Sequence, residues 1–89
     1  MRVKIIDMRN EKVVIYTTKY CGYCTAAKDF LKSRDIRFEE IDVSGDDATR
    51  EKLVQMTGGR ETVPQIFIDG KPIGGYDELV ALYSSGRTL

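Results

Sequence analysis

Residues 13–31 carry the clearest signal of the fold; they read Val-Val-Ile-Tyr-Thr-Thr-Lys-Tyr-Cys-Gly-Tyr-Cys-Thr-Ala-Ala-Lys-Asp-Phe-Leu. The first five residues are β-branched or aromatic and have the length of a strand, so they predict a strand over residues 13–17. Apolar residues then recur at helical spacing and predict a helix from about 22 to 34; they are Ala27, Phe30 and Leu31. The stretch therefore predicts a strand followed at once by a helix.

The rest of the chain continues this alternation of strands and helices. The sequence next predicts a strand over 36–42 with Ile36 and Phe38 on one face, and then a helix over about 46–57 that is capped by Ser44 with Asp47 and ended by Gly58-Gly59. A hairpin of strands 66–68 and 71–73 follows around the turn Asp69-Gly70. The last predicted helix begins at Tyr76 or Asp77 and ends by Gly86, and its inward residues are Leu79, Val80, Leu82 and Tyr83. The order β-α-β-α-β-β-α predicts a parallel first strand pair and an antiparallel late hairpin. We expect an α/β fold with a four-stranded mixed sheet flanked by three helices over 13–89, and residues 1–12 as an N-terminal extension or extra strand.

Composition excludes several classes of function. The 89 residues suffice for one domain, and 14 basic and 14 acidic residues give no net charge and no basic cluster for nucleic acid. The apolar runs are far shorter than the ~20 residues that cross a bilayer, and the N-terminus carries no run typical of a signal peptide. We therefore expect a cytoplasmic protein that binds neither nucleic acid nor membrane.

The cysteine pair Cys21-Gly22-Tyr23-Cys24 is the strongest chemical signal in the chain. Cys-x-x-Cys at the start of a helix after a strand is typical of thiol–disulfide redox chemistry. Unpaired N–H groups and the helix dipole favour an anion there, so we expect Cys21 to be substantially ionised and to attack, and Cys24, further in, to resolve. A zinc site would need two more Cys or His ligands, and the chain has no histidine and no other cysteine.

Three separated motifs resemble those of glutaredoxins. They are Tyr16-Thr17-x-x-x-Cys21-Gly22-Tyr23-Cys24, Thr62-Val63-Pro64-Gln65-Ile66-Phe67-Ile68, and Ile73-Gly74-Gly75-Tyr76-Asp77-Glu78-Leu79. The resemblance covers about residues 13–83 and implies a thioredoxin-like fold. It also implies glutathione as the reductant, glutathionylated or disulfide-containing proteins as partners, and no tightly bound cofactor.

The same resemblance implies a glutathione site beside the cysteines. A cis Val63-Pro64 peptide would present the Val63 backbone to the ligand, and the helix start at Gly75 would take the γ-glutamyl carboxylate. Asp77 would meet the ligand's ammonium group, and Lys19 with Arg60 or Gln65 its glycyl carboxylate. The full set of predicted glutathione-binding residues is Lys19, Tyr23, Arg60, Thr62, Val63, Pro64, Gln65, Gly75, Tyr76 and Asp77.

Two positions depart from the family pattern. The lysine usually found three residues before the first cysteine is replaced by Thr18, and Lys19 lies one residue closer. Gly22 stands where many dithiol members have proline, and some members with glycine there hold a [2Fe–2S] cluster between two chains. In such a dimer Cys21 would be the cluster ligand.

Three functions remain open from the sequence. The first is glutathione-dependent reduction of protein–glutathione mixed disulfides and protein disulfides by a monomer. The second is a [2Fe–2S] scaffold or carrier that works as a glutathione-ligated dimer. The third is a thioredoxin-like donor to ribonucleotide reductase fed by a flavoprotein reductase, against which the predicted glutathione site argues.

Overall fold

A computed structural model describes residues 12–84 of the chain. Its elements are β1 (Val13–Thr17), α1 (Gly22–Ser33), β2 (Glu39–Asp42), α2 (Asp47–Met56), β3 (Gln65–Ile68), β4 (Lys71–Gly74) and α3 (Tyr76–Ser84). The predicted order β-α-β-α-β-β-α is therefore confirmed. The predicted extension or extra strand lies outside the described residues except for Lys12, and so does the predicted helix end at Gly86.

The four strands form one mixed sheet in the order β2-β1-β3-β4. The pair β1–β2 is parallel, whereas β3 runs antiparallel to both β1 and β4. Because β3 starts beside the end of β1 and β4 ends beside the start of β3, three connections meet at one edge of the sheet. These connections carry the cysteines, the Val63-Pro64 peptide and the start of α3.

The core lies between the sheet and the helices. The buried residues of its main cluster are Val13, Ile15, Ala27, Leu31, Ile36, Ile66, Ile68 and Leu79. Along β1 the burial alternates, with Val13, Ile15 and Thr17 inside, as expected for a strand whose two faces differ. In α3 Leu79 is buried, while Leu82 and Tyr83 are half-buried and pack against the cluster. Val80 is half-buried as well.

The second strand is shorter than the sequence predicted. It begins at Glu39, not at residue 36, because the chain leaves α1 through Asp35 in the left-handed region at φ 58°. The Ile36 N–H bonds back to the Leu31 carbonyl at 3.0 Å, which closes the helix end and keeps this stretch out of the sheet. Ile36 and Phe38 nevertheless pack against the core, as their shared spacing suggested.

The cap of α2 also differs from the prediction. Asp46, not Ser44, is the N-cap, and its Oδ1 accepts the Thr49 N–H at 3.1 Å. The Ser44 hydroxyl accepts the Lys19 N–H at 2.8 Å and so ties the loop after β1 to the loop after β2. The predicted end at Gly58-Gly59 is confirmed, since both glycines have positive φ and bond to the last turn of α2.

Candidate active site

Cys21 is the N-cap residue of α1. Its backbone is extended, with φ −138° and ψ 106°, and its Sγ accepts the Cys24 N–H at 3.1 Å. A sulfur thus takes the place that a serine or aspartate oxygen fills at most helix starts. The start of α1 thus directs a backbone N–H donor at the sulfur that the sequence predicted would attack.

Cys24 lies one turn further along α1 and has a different environment. Its side chain is buried, with 1% of its surface exposed, whereas Cys21 is half-buried. Burial, followed by the hydrogen bond to Cys21, raises the pKa of Cys24 to about 12. The second thiol is therefore protonated at neutral pH, and this asymmetry favours Cys21 as the attacking sulfur.

The loop before β3 brings a backbone carbonyl to the first cysteine. The Val63-Pro64 peptide is cis, as the family resemblance implied. The Cys21 Sγ lies 3.6 Å from the Val63 carbonyl oxygen, to which the thiol donates a hydrogen bond when it is protonated. Residues separated by 42 positions in the chain thus form one side of the site.

A cleft of about 270 Å³ opens beside this contact. Tyr23 and Tyr76 face each other across it, with ring centroids 6.0 Å apart. Eight of the ten predicted glutathione-binding residues line the cleft; they are Tyr23, Arg60, Thr62, Val63, Pro64, Gly75, Tyr76 and Asp77. The structure therefore brings these eight together beside Cys21.

Glu78 also lines the cleft, and the sequence analysis missed it. Its Oε1 accepts the Gly75 N–H at 2.6 Å and the Arg60 Nη2 at 3.4 Å. The Gly75 N–H, with a smaller contribution from Arg60, lowers the pKa of Glu78. Gly75 directly precedes α3, and Glu78 follows it by three residues, which is the spacing of a capping box. That spacing was the sequence signal that could have identified Glu78.

The two remaining predicted residues do not line the cleft. The Lys19 N–H donates to the Ser44 hydroxyl. The pKa of Asp42 is lowered mainly by a hydrogen bond from the Ser44 N–H, and the Lys19 ammonium lowers it further. Gln65 is fully buried, and its Nε2 donates to the Thr62 carbonyl at 2.9 Å. Lys19 therefore lies towards the β2 side, and Gln65 supports the Thr62 segment from behind.

Within residues 12–84 no group of three or more His, Cys, Asp or Glu side chains is arranged to hold a metal ion. The same residues contain no helix with the length and apolarity needed to cross a membrane.

Comparison with known proteins gives concordant results. The family model described as Glutaredoxin matches residues 13–73. The chain is 47% identical over 74 residues to glutaredoxin 3 of Escherichia coli, covering 83% of this chain and 88% of that protein. A buckwheat glutaredoxin–glutathione complex is similar in structure, with a TM-score of 0.80, 34% identity, and coverage of 90% of this chain and 74% of that one. The holo form of glutaredoxin C1 from Populus tremula x tremuloides is also similar in structure, with a TM-score of 0.77 and 33% identity. The match covers 84% of this chain and 76% of that one. The thioredoxin-like fold is thereby confirmed.

Proposed function

Because this chain belongs to the glutaredoxin family and is a dithiol glutathione-dependent oxidoreductase, we propose a specific reaction for it. The reaction is the reduction of protein–glutathione mixed disulfides at Cys21. The observation that carries the proposal is the position of Cys21. Its sulfur caps α1, contacts the Val63 carbonyl at 3.6 Å, and lies beside a cleft of about 270 Å³.

The reaction begins with attack by the Cys21 thiolate on the glutathionyl sulfur of the substrate. The substrate's S–S bond breaks, its protein thiol leaves and takes a proton, and Cys21 becomes a glutathione mixed disulfide. A second glutathione thiolate then attacks the glutathionyl sulfur of that mixed disulfide, which releases oxidised glutathione and restores Cys21. This cycle needs only the first cysteine.

Glutathione is proposed to bind along the cleft in one direction. Its cysteinyl backbone pairs with Val63, which places the ligand's sulfur next to Cys21. Its γ-glutamyl carboxylate lies at the start of α3, where the helix dipole attracts anions, and Asp77 meets the ammonium group. The glycyl carboxylate meets Arg60, which is the one cationic side chain that the described residues contribute to the lining of the cleft.

Protein disulfides require the second cysteine. After Cys21 has formed a mixed disulfide with one substrate sulfur, Cys24 attacks Cys21, and the protein thiol leaves. The product is the Cys21–Cys24 disulfide, which two glutathione molecules reduce.

The test is a glutathione-coupled assay on the wild type and on two variants. Cys21→Ser is expected to lose turnover of a glutathionylated substrate, because a serine hydroxyl cannot replace a thiolate in disulfide exchange. Cys24→Ser is expected to keep that turnover and to lose reduction of a protein disulfide. Residual wild-type rates in Cys21→Ser would contradict the assignment. If the wild type took electrons from a flavoprotein thioredoxin reductase but not from glutathione, the thioredoxin-like alternative would replace it.

A [2Fe–2S] scaffold is the second candidate, favoured by the open surface at Gly22. A side chain at Gly22 would meet nothing within 4 Å, so a second chain has room beside the half-buried Cys21. Cys24 is buried, so each chain offers Cys21 alone, and the four sulfurs of a cluster would need two chains and two glutathiones. Anaerobic reconstitution with iron, sulfide and glutathione would then give a coloured dimer, and a colourless monomer would remove this candidate.

The cellular setting forms part of the proposal. Glutathione keeps thiols reduced in the cytosol, so a glutathione-driven reductase fits the cytoplasmic location that the sequence predicted. Glutathionylated proteins and protein disulfides are the proposed partners, and the working form is proposed to be a monomer unless a cluster is bound.

A further inference from the structure

A polar cluster lies behind the second cysteine and plays no part in the steps above. Lys28 follows Cys24 by four residues and so lies on the same face of α1. Its Nζ pairs with the Glu40 Oε2 of β2 at 3.0 Å, and the same carboxylate oxygen accepts the Thr17 hydroxyl at 2.7 Å. Thr17 is 1% exposed, at the end of β1. A buried hydroxyl thus anchors the ion pair next to the active site.

Two donors hold the Glu40 carboxylate. The hydrogen bond from Thr17, and then that from Lys28, lower the pKa of Glu40, so its carboxylate is ionised. The Lys28 side chain is 26% exposed, which leaves the ammonium partly shielded from water. Its charge is therefore held in one place on the Cys24 side of α1.

Closure of the active-site disulfide has a specific physical difficulty at Cys24. The thiol must lose its proton before it attacks, and burial is the main reason that the pKa of Cys24 is raised. In the mixed disulfide Cys21 carries no charge, so Cys21 no longer raises the pKa of Cys24. Burial still raises it. The backbone hydrogen bond of Thr18 and the positive charge of Lys28 act in the opposite direction.

We propose that Lys28, held by Glu40 and Thr17, is a positioning residue whose charge favours the Cys24 thiolate during closure of the disulfide. The inference rests on the proposed function. In this step the Cys24 thiolate attacks Cys21 Sγ, the bond between Cys21 and the substrate sulfur breaks, and the leaving thiolate takes up the proton that Cys24 lost. Lys28 touches neither substrate nor the bond that breaks.

The other lysines near the motif are less suitable. Lys19 lies in the loop before α1, whereas Lys28 lies on α1 itself, one turn beyond Cys24. Lys32 lies a further turn along α1 and is exposed. Because Lys32 is on the same helix and has the same charge, Lys32→Met is a matched control for Lys28→Met. Lys28→Arg keeps the charge and serves as the rescue variant.

The experiment uses dithiobis(nitrobenzoate), an aromatic disulfide that releases coloured thionitrobenzoate. Attack by the first thiol releases one thionitrobenzoate in a phase whose rate is proportional to reagent concentration. Closure by Cys24 releases a second one in a phase independent of that concentration. The two phases are followed by stopped flow on the full chain, so the two cysteines are measured separately in one trace.

We expect Lys28→Met to slow the second phase and to leave the first unchanged. Loss of the Lys28 charge lowers the fraction of Cys24 that is thiolate, and the greater nucleophilicity of a more basic thiolate recovers only part of that loss, so we expect a net slowing of about threefold. Lys28→Arg is expected to restore the second phase, and Lys32→Met to match the wild type.

Three results would overturn the inference: an unchanged second phase in Lys28→Met, equal slowing of both phases, or equal slowing in Lys32→Met. The assay contains no glutathione, so it separates this inference from the proposed function. Two normal phases in a wild type that has no glutathione-coupled turnover would refute the proposed function. The result for Lys28→Met would still decide the role of Lys28 in closure.

Discussion

Replacing Glu78 by glutamine tests how the start of α3 is held. The Glu78 carboxylate accepts the Gly75 N–H at 2.6 Å and contacts Arg60 at 3.4 Å. Glutamine has the same length and keeps an acceptor oxygen, but it has no charge. The substitution therefore removes the electrostatic part of both contacts and leaves the shape of the cleft intact.

The size of the effect follows from the exposure of the two side chains. A hydrogen bond to a charged group contributes about 1.5–3 kcal/mol when well shielded, and a neutral one about 1 kcal/mol. Glu78 and Arg60 are 45% and 43% exposed, so solvent screening reduces the difference, and the ion pair itself adds at most about 0.5 kcal/mol. We expect Glu78→Gln to lower the free energy of unfolding by about 1 kcal/mol, or the midpoint of thermal unfolding by about 5 °C.

Urea and thermal unfolding at two pH values provide the assay. The pKa of Glu78 is lower in the folded protein, so its contribution is present above the unfolded pKa and is lost as the pH falls through the folded pKa. The difference between wild type and Glu78→Gln should therefore be full at neutral pH and should vanish at acid pH, once the pH has fallen below the lowered pKa of Glu78 in the folded protein.

Asp77→Asn is the matched control, because Asp77 lies in the same first turn of α3 and its side chain has no hydrogen-bond partner among the described residues. Removing the Asp77 charge should lower the free energy of unfolding only by its interaction with the helix dipole, about 0.3–0.5 kcal/mol. The reasoning would be refuted if the two variants lost equal stability. A difference between wild type and Glu78→Gln that persisted unchanged at low pH would refute it as well.

Two further predictions concern the glycine before α3 and the second thiol. Gly74 has φ 116°, and a Cβ there would lie 2.7 Å from the Glu78 Cγ, so Gly74→Ala should cost about 2 kcal/mol in urea unfolding. Gly22→Ala, where a Cβ meets nothing within 4 Å, should change stability by no more than about 0.5 kcal/mol, and equal losses would contradict the packing argument. Because burial raises the pKa of Cys24 to about 12, iodoacetamide should leave it unlabelled at neutral pH in the folded protein. Mass spectrometry of the digested protein checks this, and label on Cys24 under those conditions would show that the thiol is more acidic or more accessible than its burial indicates.

Local sequence determined most of the secondary structure of this protein. The β-branched run at 13–17 matches β1 residue for residue, and the Asp69-Gly70 turn joins β3 to β4 as predicted. Both residues of that turn have positive φ, which this pair of residue types adopts readily. Such features depend on a few neighbouring residues, so a single sequence is sufficient to predict them.

The motifs also determined which segments would form the site. Eight of the ten residues predicted for glutathione line one cleft beside Cys21, and the cis Val63-Pro64 peptide was expected. Their assignment came from family resemblance, because spacing in the chain does not state which distant loops will meet. The contact between Cys21 and the Val63 carbonyl exists only once β3 has paired with β1.

Tertiary structure alone decided the partners of the charged and buried side chains. Lys19 belongs to the β2 side, Gln65 supports Thr62 from inside, and Glu78 pairs with Arg60. Long polar side chains can turn in several directions, and the packing of other elements decides which acceptor is within reach. The order of the elements and the identity of the two reacting sulfurs could therefore be predicted from local patterns and motifs. The difference in burial between those sulfurs, and the charges that face each of them, arose from the way the helices pack on the sheet.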